Sequence, residues 1–188
     1  DGALKSGEWL LIQGGSSGVG VAAIQIAKHL GAKVIATSGS EVKCRRLRKF
    51  GADVTVDVSE NDFLTEVMRV TNNRGVDVVL EMIGGEVFQK SLQVLAPAGR
   101  LFSIGGAFGS IPDPLPSLTD GRKVSRFSIT NYLKAKPDGF KQLDTILKLV
   151  ADKKLDVGIG KSFPLAETRA AQRYLQGRDH FGKVMLTM

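Results

Sequence analysis

The stretch Gly14-Gly15-Ser16-Ser17-Gly18-Val19-Gly20 constrains this chain more than any other. It follows Trp9-Leu10-Leu11-Ile12, an apolar run of strand formers. It opens onto Val19, Ala22, Ala23, Ile26, Ala27 and Leu30, which recur at helical spacing. A strand, a turn of small residues and a helix together present free backbone N–H groups and a positive helix end to an anion. Larger side chains in the turn would hold a phosphate away from the backbone. The dinucleotide fingerprint G-x-G-x-x-G reads here as Gly15-Ser16-Ser17-Gly18-Val19-Gly20, with Ser17 in the middle glycine's place. Alone, such a loop is also compatible with a tight turn between packed elements. The second strand that follows on schedule is what favours the ligand-binding reading.

That strand is Ala32 to Thr37, and Ser38-Gly39-Ser40 turns the chain into a helix over 41–50, with Ser40 as N-cap and Gly51 as its stop. Strands at 54–56, 76–80 and 100–104 alternate with helices at 63–70 and 86–95, the last ended by Pro97 and Gly99. Such alternation predicts an α/β fold, a doubly wound parallel sheet with helices on both faces. Ligands gather outside the carboxyl ends of such strands. Here those ends are residues 14–20, 37–43, 81–85 and 104–109, each rich in glycine or serine. Alternate prolines at 112, 114 and 116 make an extended connector. A sixth strand is expected over 124–130 and an amphipathic helix over 140–150. Phe163-Pro164-Leu165 then leads into a helix over 166–175, and a final strand covers 183–187. That strand–helix–strand tail exceeds what a simple doubly wound sheet needs.

Which dinucleotide fits is read at the end of the second strand. An acidic residue there would bind the ribose 2′-hydroxyl of NAD, but the sequence gives Thr37-Ser38-Gly39-Ser40 and no carboxylate until Glu41. Hydroxyls with Lys43 a turn beyond, and Arg46 one turn further, suit a 2′-phosphate and therefore NADP. Two other motifs share these residues. Gly14-x-Ser16-x-Gly18 fits the nucleophile elbow of serine hydrolases, with His180 beside Asp179 as a base, although that elbow normally follows several strands. Tyr132 and Lys136 have the Tyr-x-x-x-Lys spacing of short-chain dehydrogenases, but Pro137 disfavours the helix the pair would need.

Composition narrows the class. The 188 residues, 43% hydrophobic and 24% charged, can bury one α/β core. No apolar stretch approaches the ~20 residues of a membrane span. A single cysteine, Cys44, allows no internal disulfide or multi-cysteine zinc site and fits a reducing, cytoplasmic setting. The net charge of +7 leaves a nucleic-acid-binding module open, but much of it lies in one run from Lys43 to Lys49, which reads first as a solvated helix face. His29 reads as structural or surface-facing, and Cys44 as a small helix residue. The start at Asp1 suggests a fragment.

Taken together, Leu4-Lys5-Ser6-Gly7-Glu8, Gly14 to Gly20, Ala22 to Lys28, Ala36 to Ser40 with Lys43, Gly51-Ala52-Asp53, Gly75 to Val79, Gly99-Arg100 and Gly182-Lys183-Val184 resemble the medium-chain dehydrogenase/reductases. Within them the zinc-independent, zeta-crystallin-like quinone oxidoreductases are the branch resembled. The resemblance implies an NADPH-binding Rossmann domain over 1–160, and a return segment of the substrate (GroES-like) domain over 161–188. It implies that Ser17, Gly18 and Val19, with Ser16 in the same loop, meet the pyrophosphate, and that Ser38 and Lys43 meet the 2′-phosphate. Ile83, Ile104, Gly105 and Gly106 would line the nicotinamide side, with Phe181 and Lys183 closing over the cofactor. Val58 replaces a tyrosine common in the family. The implied reaction is metal-free hydride transfer from NADPH to a quinone or conjugated enone. No acid or base is identified, and much of the pocket would come from a domain preceding this stretch. A homodimer joined through sheet edges at 124–130 is also implied.

Overall fold

The computed structural model describes residues 3–107 and 109–188; Asp1, and Phe108 in the loop expected at 104–109, lie outside them. Strand β1 (Trp9–Ile12) leads into helix α1 (Gly18–His29). The alternation continues through β2 (Lys33–Ser38), α2 (Glu41–Lys49), β3 (Val54–Asp57), α3 (Phe63–Val70), β4 (Val76–Glu81), α4 (Gly85–Gln93) and β5 (Leu95–Ser103). After the proline-rich connector come β6 (Lys123–Arg126), α5 (Ile129–Ala135) and α6 (Lys141–Ala151), then β7 (Ile159–Pro164), α7 (Thr168–Gln176) and β8 (Lys183–Thr187).

The first six strands form one parallel sheet in the order β3-β2-β1-β4-β5-β6, and β7 and β8 pair in parallel as a second sheet. This is the doubly wound arrangement read from the alternation. Strand order reverses between β1 and β4, so their following loops part to opposite faces and leave a crevice. Side chains alternate faces along each strand. Leu10 and Ile12 therefore join Val21, Ile24, Val34 and Ala36 in one core layer, while Leu11 joins Ile35, Val56, Val79, Phe88 and Leu101 in the other. Both faces of the sheet are covered, which explains why the strands read as continuous apolar runs.

Helix starts follow the capping residues. The hydroxyls of Ser17 and Ser40 and the carboxylate of Asp62 accept the amides of Gly20, Lys43 and Thr65 at 3.0, 3.4 and 3.1 Å. The edge of the sheet remote from the glycine loop is tied by charge. Arg100 grips Glu8 at 2.7 Å, and the Asp77 carboxylate accepts Trp9 N–H at 2.8 Å while pairing with Arg74.

Three boundaries differ from the sequence reading. The strand expected over 124–130 stops at Arg126, because the Ser128 hydroxyl accepts Asn131 N–H and starts α5 at Ile129. Tyr132 thus lies on a helix of which Lys136 is the C-cap with φ −132°; the Lys136 ammonium lies over the Tyr132 ring, 5.2 Å from its centroid, while the Tyr132 hydroxyl accepts Gln142 Nε2. Strand β5 begins at Leu95 rather than residue 100. Pro97 and Gly99 occupy the irregularity between the Val76–Leu95 and Val78–Arg100 pairs, where a missing N–H breaks no ladder. Finally, residues 165–167 form a 3-10 turn before α7. Neither α5 nor α6 buries a residue, and Ile129, Phe140, Leu143 and Leu147 are exposed.

Candidate functional site

The parallel registers bring the ends of β1, β2, β4 and β5 to one edge of the sheet, and with them most of the residues singled out above. The loop after β1 is shaped by contacts too close for a side chain. Gly14 adopts φ +69° and donates its N–H to the Thr37 hydroxyl at 3.1 Å. Gly15 N–H donates to Thr37 O at 2.8 Å, and a Cβ on Gly15 would meet the Ala36 methyl at 2.9 Å. A Cβ on Gly20 would lie 2.5 Å from Gly15 O. The first turn of α1 therefore packs directly on the loop backbone, which requires glycine at both positions. Ser17 caps that turn, and Val19 is half exposed on it.

The tail reaches this loop from the far end of the chain. Gly182 N–H donates to Ser16 O at 2.8 Å, and Gly182 forms a parallel bridge with Ser17. The Lys183 side chain then crosses the α1 N-terminus. Its Cγ and Nζ lie 2.9 and 3.3 Å from where a Cβ on Gly18 would sit. An ammonium beside the positive end of a helix is an unfavourable pairing unless an anion joins them. Phe181 departs from the expectation. Its ring is 1% exposed in the core beside Phe50, at a centroid distance of 5.6 Å, with the Arg46 guanidinium 3.8 Å above it. The ring supports the site from beneath instead of facing the cleft.

At the end of β2, Ser38 is 4% exposed and its hydroxyl has no hydrogen-bond partner. A buried hydroxyl without a partner is costly, so its acceptor or donor must come from elsewhere. Lys43, on the first turn of α2, donates to Arg178 O. Burial lowers the Lys43 pKa against the opposing pull of Asp179. His180 lies in the same group. Burial, then Lys43, holds its imidazole below the usual pKa, and Nδ1 is buried without a partner. The hydrolase reading requires a histidine hydrogen-bonded to Ser16, and His180 makes no such bond.

The loops after β4 and β5 form the other wall. Ile83 and Gly84 donate their amides to Glu81 Oε1 at 2.7 and 2.8 Å, Ile104 N–H donates to Glu81 O at 2.9 Å, and Ala107 N–H to Met82 O at 3.1 Å. Gly105 and Gly106 are exposed on this wall. The sequence reading missed Gln13, Glu81, Ser91 and Ser103, and it placed Thr37 among the hydroxyls offered to a 2′-phosphate, whereas that hydroxyl is engaged with Gly14 and Gln13; all five are buried beneath the loops. Polar residues at the ends of apolar strands were the available signal. Among the described residues no group of three or more His, Cys, Asp or Glu could hold a metal ion, and no helix is long and apolar enough to cross a membrane.

Comparison with known proteins agrees with this geometry. The zinc-binding dehydrogenase family model matches residues 18–152. The chain is 35% identical over 190 residues to a phenolphthiocerol/phthiocerol polyketide synthase of Mycobacterium tuberculosis, covering 100% of this chain and 9% of that protein. It is 32% identical over 188 residues to 2-haloacrylate reductase of a Burkholderia species, covering 97% of this chain and 56% of the relative. The structure of Escherichia coli quinone oxidoreductase complexed with NADPH superposes with a TM-score of 0.88 at 25% identity, over 99% of this chain and 59% of that one. The chain thus spans little more than half of the reductases it matches and a small part of the synthase. With its sheet order, its glycine loop and a family match over most of its length, the chain belongs to the zinc-binding dehydrogenase family of the medium-chain dehydrogenase/reductase superfamily.

Proposed function

We propose that this chain is the NADPH-binding part of a reductase acting on a quinone or a conjugated, electron-poor alkene. The observation that carries this reading is the Lys183 ammonium lying over Gly18 at the N-terminus of α1, a pairing of positive groups that a pyrophosphate would reconcile. Ser16 to Val19 supply the loop and its amides. The unpartnered Ser38 hydroxyl and the cation of Lys43 suit a 2′-phosphate, and β2 ends with no carboxylate to repel it. The fit of these groups to NADPH is supported by the relative whose structure contains it. When bound, NADPH supplies a hydride.

The chain's own residues position and shield in this reading. The small loop 14–20 admits the phosphates, while Ile83 and Ile104 to Gly106 set the wall beside the reacting ring. Catalysis is then largely a matter of orientation. The acceptor class is supported by one relative named for a 2-haloacrylate, which is a conjugated alkene, and by another named for quinones. Residues 1–160 constitute the cofactor domain in this proposal. The separate β7–β8 sheet, within 161–188 apart from its first residues, contributes to a substrate domain. The edge strand β6 and the exposed apolar residues of α5 and α6 support a homodimer joined there. The free, buried thiol of Cys44 fits a cytoplasmic setting.

Titration of the chain with NADPH and, in parallel, NADH, followed by nicotinamide fluorescence, tests the reading. Saturable NADPH binding with much weaker NADH binding is expected. Saturation by neither would overturn it.

A further inference from the structure

The last rung of the sheet is polar where an apolar layer would pack more cheaply. Ile12 faces Ala36 on one side and Leu80 on the other, and Glu81 faces Ser103. One residue beyond Ile12, Gln13 therefore falls between Thr37 and Glu81. Thr37, Gln13, Glu81 and Ser103 run side by side across four neighbouring strands, and none is more than 3% exposed.

Buried polar groups persist when they are hydrogen-bonded, and here the bonds lead to the loops above. Thr37 Oγ1 accepts Gly14 N–H and donates to Gln13 Oε1 at 2.8 Å, and Gln13 Nε2 donates to Ser91 of α4 at 3.0 Å. Glu81 Oε1 accepts the amides of Ile83 and Gly84, two loop donors that no strand could satisfy. Ser103, its neighbour on β5, donates to Gly105 O at 3.4 Å.

Glu81 is the ionisable member of this row and is 0% exposed. A carboxyl in that position is expensive to desolvate, and a leucine would fill the volume at less cost. The two amides it accepts explain why a carboxyl stands there. We propose that Glu81 is a positioning residue whose carboxyl holds the loop after β4 through the Ile83 and Gly84 amides while its main-chain O holds Ile104 at the end of β5, so that Ile83 and Ile104 to Gly106 form one fixed wall. This rests on reading that wall as the nicotinamide side of the cleft. Glu81 itself is sealed from the cleft.

The state of the second oxygen fits this role. Oε2 is buried and has no hydrogen-bond partner. Desolvation raises the carboxyl's pKa, against the opposing pull of the Gly84 and Ile83 amides. A glutamine amide keeps a carbonyl oxygen that can accept both amides and changes only the group at the second position.

The experiment compares Glu81→Gln, Glu81→Leu and Glu81→Asp in this chain by hydrogen exchange and NADPH titration. Glu81→Gln is expected to retain wild-type protection at the Ile83 and Gly84 amides and wild-type NADPH affinity. In Glu81→Leu those two amides exchange about tenfold faster or more, and affinity falls about tenfold, while protection at Val21 and Lys33 is unchanged. Glu81→Asp, too short by one methylene to reach both amides, gives the same local loosening and serves if the leucine variant does not fold. Loss of protection at Val21 and Lys33 equal to that at Ile83 and Gly84, in a folded leucine or aspartate variant, would overturn the proposal, since Glu81 would then support the whole fold and not this loop. Wild-type protection in the leucine and aspartate variants would overturn it too. Failure of the wild-type chain to bind NADPH would instead remove the functional reading, and the exchange comparison would still decide the role of Glu81.

Discussion

Replacing Gly20 by alanine probes the phosphate loop at its tightest point. The new Cβ would lie 2.5 Å from Gly15 O and 2.6 Å from its C and Cα. These are backbone atoms, and Gly15 is itself held by its 2.8 Å bond to Thr37 O and by the Ala36 methyl behind it. No side chain can rotate to make room, so α1 must lift off the loop by roughly half an ångström in an interior packed like a crystal. Overpacking against fixed backbone costs about 3 kcal/mol, the upper part of the usual range. Loosening the Ser17 cap, which accepts Gly20 N–H at 3.0 Å, costs about 1 kcal/mol more. Alanine's better helix propensity offsets about 1 kcal/mol. The expected net loss is about 3 kcal/mol, which lowers Tm by roughly 6–12 °C for a chain of this size. Thermal and urea unfolding of the variant beside the wild type measure it, with NADPH titration to follow the loop. A variant that melts within about 1 °C of wild type and binds NADPH equally well would refute the close approach of Gly20 to Gly15.

Gly18→Ala separates binding from packing, because its Cβ meets only the flexible side chain of Lys183 and nearby tail backbone at 3.7 Å. Stability should hold within about 0.5 kcal/mol while NADPH affinity falls, as unfolding and titration of one preparation will reveal. Lys183→Met should weaken NADPH and NADH alike, about tenfold, since both carry the pyrophosphate, whereas Lys43→Met should weaken NADPH selectively; parallel titrations distinguish the two cations. The Arg100 guanidinium, by its hydrogen bond to Glu8, holds that carboxyl below the usual range. A depressed folded pKa means stabilisation that is complete above the unfolded value of about 4.3 and is lost as pH falls through the folded one. The Tm difference between wild type and Glu8→Gln should therefore be constant near neutrality and shrink below about pH 4.

Local patterning determined the alternation of elements, the glycine loop and the cap at Ser40. Each of these depends on residues within a few positions of one another, through strand and helix periodicity or a side chain reaching its own helix start. The same locality explains the misplaced boundary after β6. A polar residue inside an apolar run reads equally as strand or as cap until the Ser128 hydroxyl is seen on Asn131 N–H. Phe181 and Lys183 were linked by resemblance, but tertiary structure gave them different surroundings. On either side of Gly182, the ring turns into the core under Arg46 and the ammonium lies over Gly18. The polar rung from Thr37 to Ser103 was invisible for a related reason. Its members come from four strands far apart in sequence, and only the parallel registers bring them to one level. Sequence by itself set which segments become strands and helices, because that follows from local periodicity. Tertiary structure alone decided which side chains meet at the sheet edge, because register is a property of the paired strands and not of any one of them.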